Sequence, residues 1–162
     1  MRRIGRVLMM CLLLGGCWAD PDAGTRPIQP VKEPLKPLYD RLGGETRIRT
    51  IVDEWITRSL NDPRVNFIRR GTDMRWTPTD SNVARLKMAF VEFLSAATGG
   101  PVKYEGPDMK SAHQGMQISG GEFDAMKKHL KDTLKMLKTG EKEQNELFKV
   151  IESARKDIVE VP

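Results

Sequence analysis

From Leu38 onward, apolar residues recur at helical intervals and nowhere alternate with period two over a useful length. Ile48, Ile51, Val52, Trp55, Ser59 and Leu60 follow i, i+3, i+4, i+7 spacing, which predicts an amphipathic helix over 45–60. A short helix over 38–42 precedes it and stops at Gly43-Gly44; Asn61-Asp62-Pro63 stops the longer one. Residues 61–81 hold Pro63, Gly71 and Pro78 and read as an irregular connection. Ser81 is placed to cap the next helix, whose inner face is Val83, Leu86, Phe90, Phe93 or Leu94, and Ala97, and which ends at Gly99-Gly100-Pro101. After a loop over 101–107, residues 108–114 make a short helix. Ser119-Gly120-Gly121 leads into a long helix with Phe123, Met126, Leu130, Leu134 and Leu137 on its core face. Thr139-Gly140 breaks it, and a last helix over about 141–159 buries Leu147, Ile151, Ala154 and Ile158. The chain is predicted to be all-α.

Residues 1–37 follow different rules. Met1-Arg2-Arg3-Ile4-Gly5-Arg6 is basic, Val7 to Leu14 is apolar, and Gly15-Gly16-Cys17 follows, the layout of an export signal. The apolar run is too short to be a permanent membrane span. Leu14-Gly15-Gly16-Cys17 resembles a bacterial lipobox, which implies cleavage after residue 16 and a lipid on Cys17. The expected product is exported and lipid-anchored to the cell envelope on the periplasmic side. An ordinary secretion signal cut nearby is the alternative. Residues 17–37 carry Pro21, Pro27, Pro30, Pro34 and Pro37 among polar residues, a composition that makes an extended tether and no core. Residues 38–160 are the folded domain.

Processing changes the charge. The chain has a formal net charge of +5, which falls to +2 when Arg2, Arg3 and Arg6 leave with the signal. No dense basic patch with interleaved aromatics remains, which argues against a nucleic-acid partner. Both cysteines, Cys11 and Cys17, lie in or beside the signal, so the domain has no disulfide and no thiolate metal site. A metal would need histidine, carboxylate or a cofactor's own ring. The sequence shows no acid–base pair, nucleophile triad or phosphate loop.

His113 is one of two histidines and sits among Met109, Met116, Ile118 and Phe123, apolar residues suited to lining a haem slot. A lone histidine here is either a satisfied structural residue or a metal or haem ligand. His129, in Lys127-Lys128-His129-Leu130-Lys131, reads as a boundary or solvent-facing residue, with a second haem ligand as the alternative. Tyr104 and Lys110 are candidates for a ring's carboxylate edge, against a plain loop aromatic and a solvated lysine.

Several fragments in a fixed order carry a resemblance. They are Leu38-Tyr39-Asp40-Arg41-Leu42-Gly43-Gly44, Asn61-Asp62-Pro63-Arg64-Val65-Asn66, Gly71-Thr72-Asp73-Met74 and Ala84-Arg85-Leu86-Lys87. Gly99-Gly100-Pro101-Val102-Lys103-Tyr104-Glu105-Gly106 follows, then Met109, Ala112-His113-Gln114-Gly115, Ile118 and Phe123. Over about residues 38–160 the chain resembles the group I truncated haemoglobins. The resemblance implies a truncated-globin fold, a two-over-two helical sandwich around a b-type haem with His113 as the proximal iron ligand. The family's distal tyrosine position matches Ile56, and the two positions on the next long helix match Leu86 and Phe90. The haem-wedging phenylalanine matches Phe67 or Ile68. An insertion at about 75–80, absent from many relatives, lengthens the loop above the distal pocket and is placed as a lid.

Ile56, Leu86 and Phe90 are all apolar, and that departure has a consequence. A ligand that gains partial negative charge is stabilised by a distal donor, and a hydrogen bond to a charged group is worth about 1.5–3 kcal/mol. Its loss speeds oxygen release by roughly ten- to a hundredfold. An apolar pocket also penalises anions and favours neutral diatomics. The expected function is reversible binding of small diatomic gases (oxygen, carbon monoxide, nitric oxide). Its rivals are a haem enzyme for nitric-oxide detoxification or peroxidase-like chemistry, with an unidentified redox partner, and a haem-free interaction module. With no ligating side chain at the distal positions, the iron is expected to be five-coordinate or water-bound.

Overall fold

The computed structural model describes residues 34–70 and 76–161. The signal, Cys17, most of the tether, the Gly71-Thr72-Asp73-Met74 fragment and Arg75 lie outside the described residues. Helices α1 (Leu38–Leu42), α2 (Gly44–Leu60), α3 (Asp80–Ala97), α4 (Met109–His113), α5 (Gly120–Met136), α6 (Glu141–Ser153) and α7 (Arg155–Ile158) follow in order. The only β feature among the described residues is an isolated bridge between Ser119 and Val161. The fold is the all-α two-over-two sandwich of truncated globins: α2 packs on α3 and α5, and α5 on α6.

Burial decides why α2 is a helix. Its inner face includes β-branched residues, each up to about 0.7 kcal/mol worse than alanine in a helix. Ile48, Ile51, Val52 and Ile56 are fully buried and Trp55 nearly so. Burying each such side chain contributes about 1.5–3 kcal/mol, so packing outweighs propensity. Opposite them, Leu130 and Leu134 of α5 and Leu147 of α6 complete the core. Arg41 fastens α1 to α6, donating to Glu143 at 2.7 Å and to Glu146. His129 is a boundary residue that bonds Asp62 at 2.6 Å, joining α5 to the end of α2.

Three sequence expectations change. Thr79, not Ser81, caps α3, because its hydroxyl accepts from the Asn82 N–H. Ala97 is exposed in the last turn of α3, while Leu94 is buried in the core. The last helix is two helices: the chain breaks at Ala154, where Arg155 reaches Asp124 at 2.6 Å and lies 4.9 Å over the Phe123 ring. These contacts between elements override a helical pattern that runs on through the break.

Candidate functional site

Asp108 caps α4 by accepting from the Ser111 N–H at 3.0 Å, and that short helix delivers His113 to the wall of a cavity of about 300 Å³. This size is at the lower end of known ligand pockets. The His113 Nδ1 lies 2.7 Å from the Met109 carbonyl oxygen. A carbonyl only accepts, so Nδ1 carries the proton and Nε2 keeps a lone pair. Burial lowers the His113 pKa and nearby Arg69 adds to that, against the Met109 hydrogen bond and Glu160, which raise it. The neutral imidazole is the form that ligates a metal. Nε2 has no hydrogen-bond partner among the described residues.

Another stretch of the lining comes from α3. Leu86, Ala89, Phe90 and Phe93 recur at helical spacing and line the cavity, yet none is fully buried. Of the 18 residues of α3, only Val91, Leu94 and Ser95 are buried. Leu86, Phe90 and Phe93 touch the core yet stay only partly covered by protein, and an incompletely covered apolar face fits a flat apolar group set against it. Trp55 continues the wall and meets Phe90 edge-on at 5.1 Å. Its indole N–H is spent on the Met126 carbonyl at 2.9 Å.

Most other polar side chains in the lining are also engaged. Asn66 donates to the Met116 carbonyl and accepts from the Ile68 N–H, both at 2.8 Å. Glu122 completes a capping box with Ser119 and pairs with Arg70; Lys127 pairs with Glu152. Tyr104 packs edge-on against Phe93 at 5.9 Å, and burial followed by Glu92 and Asp108 raises its pKa, keeping the phenol neutral. Among the described residues no group of three or more His, Cys, Asp or Glu is arranged to hold a metal ion.

The cavity gathers His113, Leu86, Phe90, Phe67, Met109, Met116, Ile118, Phe123 and Tyr104 from the sequence candidates. Phe67 lines it and pairs with Trp76 at 5.7 Å, whereas Ile68 is 50% exposed and outside the lining. Ile56 is buried in the core and outside the lining, its place at the wall taken by the preceding Trp55. Lys110 is exposed on α4 and also outside the lining. Sequence reasoning missed Phe93, Trp76, Arg69 and Asn66 as lining residues. Phe93 was findable, three positions after Phe90 on the same face; the loop residues carry no periodic signal.

Comparison with known proteins agrees with this geometry. The bacterial-like globin family model matches residues 37–160. The group 1 truncated haemoglobin of Tetrahymena pyriformis is 34% identical over 122 residues, covering 75% of this chain and 93% of that protein. That of Mycolicibacterium paratuberculosis is 37% identical over 97 residues, covering 60% of this chain and 65% of its own length. The crystal structure of the Tetrahymena pyriformis protein in its Fe(III) form superposes with a TM-score of 0.65 at 33% identity, covering 76% of this chain and 98% of that one. A Synechococcus 2/2 haemoglobin, crystallised with covalently attached haem, gives a TM-score of 0.64 at 27% identity over the same shares.

Proposed function

The chain belongs to the bacterial-like globins and, within them, to the group 1 truncated haemoglobins, and on that premise we propose that it reversibly binds small neutral diatomic gases in an apolar pocket. Its cofactor is haem iron, as in the family. The observation that carries the reading is His113: a neutral imidazole with Nδ1 tied to a carbonyl and Nε2 left available, in a cavity lined mainly by apolar, partly covered side chains. When bound, the haem supplies an iron centre with one coordination position for a gas.

The protein's own residues do the rest. His113 Nε2 would hold the iron, with the Met109 carbonyl fixing the tautomer and rotation of the ring. Leu86, Phe90 and Trp55 exclude water and offer no donor, since the Trp55 N–H is already bonded to Met126. This selects against anions and against ligands that need a strong distal hydrogen bond. Tyr104, neutral and in the lining, is the candidate partner for the ring's carboxylate edge, with exposed Lys110 as a longer-range counter-charge. Nitric-oxide detoxification, which profits from tightly held oxygen, is the weaker reading because so few polar groups at the cavity remain unengaged. A haem-free module leaves the open face of α3 without a purpose.

Absorption spectroscopy tests this directly. The purified protein, expressed with ample haem, is expected to show a strong Soret band that His113→Ala weakens or shifts; a haem-free wild type refutes it. We further propose that the chain is exported and anchored through Cys17. Cys17→Ser is expected to move it from the membrane to the soluble fraction, and a variant that stays membrane-bound excludes the anchor.

A further inference from the structure

The polar backbone atoms that flank His113 are held by side chains from two remote parts of the chain. Helix α4 has only five residues, so its last carbonyls have no partner within the helix. Arg69, from the loop after α2, donates to the Ala112 carbonyl at 2.7 Å and to the Gln114 carbonyl. On the other side of the histidine the chain turns twice through the left-handed region, at Gly115 (φ 78°) and Gln117 (φ 53°). A glutamine rarely adopts that conformation unaided. Both turning residues point their N–H groups at one carboxylate: Glu160 accepts from Gly115 at 2.8 Å and from Gln117 at 2.5 Å. Glu160 is in turn docked by its backbone, its N–H and that of Val161 both donating to the Ile118 carbonyl, at 2.9 and 3.2 Å.

We propose that Glu160 and Arg69 are positioning residues for His113, one from the C-terminal tail and one from the loop after α2, and that together they set how firmly the imidazole holds the haem iron. The chemistry assigns each its side. A carboxylate suits two converging N–H donors, and a guanidinium suits two neighbouring carbonyls. Neither role can be exchanged: a glutamine at 160 would turn an NH2 group toward a backbone N–H. Because the two latches come from sequence-distant segments, a disturbance of the C-terminal tail reaches the iron ligand without touching the distal wall. The proposal rests on the haem reading.

The test uses the full-length protein with Glu160→Gln, both with native His113 and in a His113→Gly background supplied with free imidazole. In the haem-free protein, the amides of residues 114–118 are expected to exchange hydrogen about three- to tenfold faster in Glu160→Gln, the loss of one exposed charge-assisted bond. In the ferrous haem protein, the iron–histidine stretching band is expected to shift or broaden with native His113. It is expected to stay put when free imidazole replaces the tethered ring. Unchanged amide exchange, an unmoved band with native His113, or an equal shift in the imidazole-supplied background each overturns the proposal. A normal Soret band with an unmoved iron–histidine band sinks this inference alone, whereas no Soret band in the wild type sinks the haem reading and this inference with it.

Discussion

Leu86→Gln gives the most direct probe of the apolar pocket. Leu86 lines the cavity from α3 and is only partly buried. Phe90 is the less suitable position, because removing its 5.1 Å edge-on contact with Trp55 forfeits about 0.5–1.5 kcal/mol beyond burial. A glutamine N–H donating to a ligand with partial negative charge is worth about 1.5–3 kcal/mol. Fixing its side chain costs up to about 1.5–2 kcal/mol. The net of about 1 kcal/mol slows oxygen dissociation by roughly fivefold. Carbon monoxide, which gains little charge, should leave at an almost unchanged rate. Stopped-flow ligand replacement measures both rates. Equal slowing of the two gases would mean that the glutamine obstructs the exit rather than donating. An unchanged oxygen rate with an intact Soret band would mean that Leu86 does not face the ligand. The structure also separates this site from Ile56, which the family pattern marks as distal. Ile56 is fully buried in the core, so Ile56→Tyr is expected to cost about 1–3 kcal/mol by overpacking and to leave the oxygen rate unchanged.

Asp62, hydrogen-bonded first by Arg64 and then by His129, has a pKa well below its ordinary 3.8. Its stabilising contribution is therefore present above its ordinary value and lost as pH falls from there towards the lowered folded value, so the gap in Tm between wild type and Asp62→Asn should hold steady from about pH 6 to about pH 5 and narrow below about pH 4. Gly100 has no room for a side chain: a Cβ there would lie 2.5 Å from the Tyr39 ring and 2.8 Å from the Ser95 carbonyl oxygen. Gly100→Ala is expected to cost about 1–3 kcal/mol and several degrees of Tm in thermal unfolding, with the Soret band intact.

The helices were legible wherever one face is buried over several turns, as in α2 and α5, because burial there dominates every local preference. What periodicity could not see is set by single contacts between distant segments. Thr79 rather than Ser81 caps α3 because its hydroxyl reaches the Asn82 N–H, and both residues are good caps by type. The break at Ala154 depends on where Arg155 finds Asp124 and Phe123. At the site, His113 was singled out by the ordered fragments that resemble the group I truncated haemoglobins, since its apolar neighbours alone left a structural role open, and Phe67 was separable from Ile68 only by exposure. Arg69 and Glu160 left no trace in the pattern: an arginine in a loop and a glutamate in a tail are ordinary until the backbone atoms they bind are known.

The uneven burial of α3 ties folding to the cofactor. Its C-terminal half is anchored by Val91, Leu94 and Ser95, whereas residues 80–90 contain no buried residue and present Leu86, Ala89 and Phe90 to the cavity. Thr79 caps this half, but one cap contributes only about 1 kcal/mol. A group that binds the native state alone stabilises it by mass action, most where surface is still open to cover. Hydrogen exchange of the haem-free protein should therefore be fast over residues 80–90 and slow over α2 and α5, with haem protecting 80–90 by the largest factor. Protection over 80–90 already equal to that of α2 without haem would show that the apolar face is closed by protein alone, and the fit argued for the cofactor would lose its structural basis.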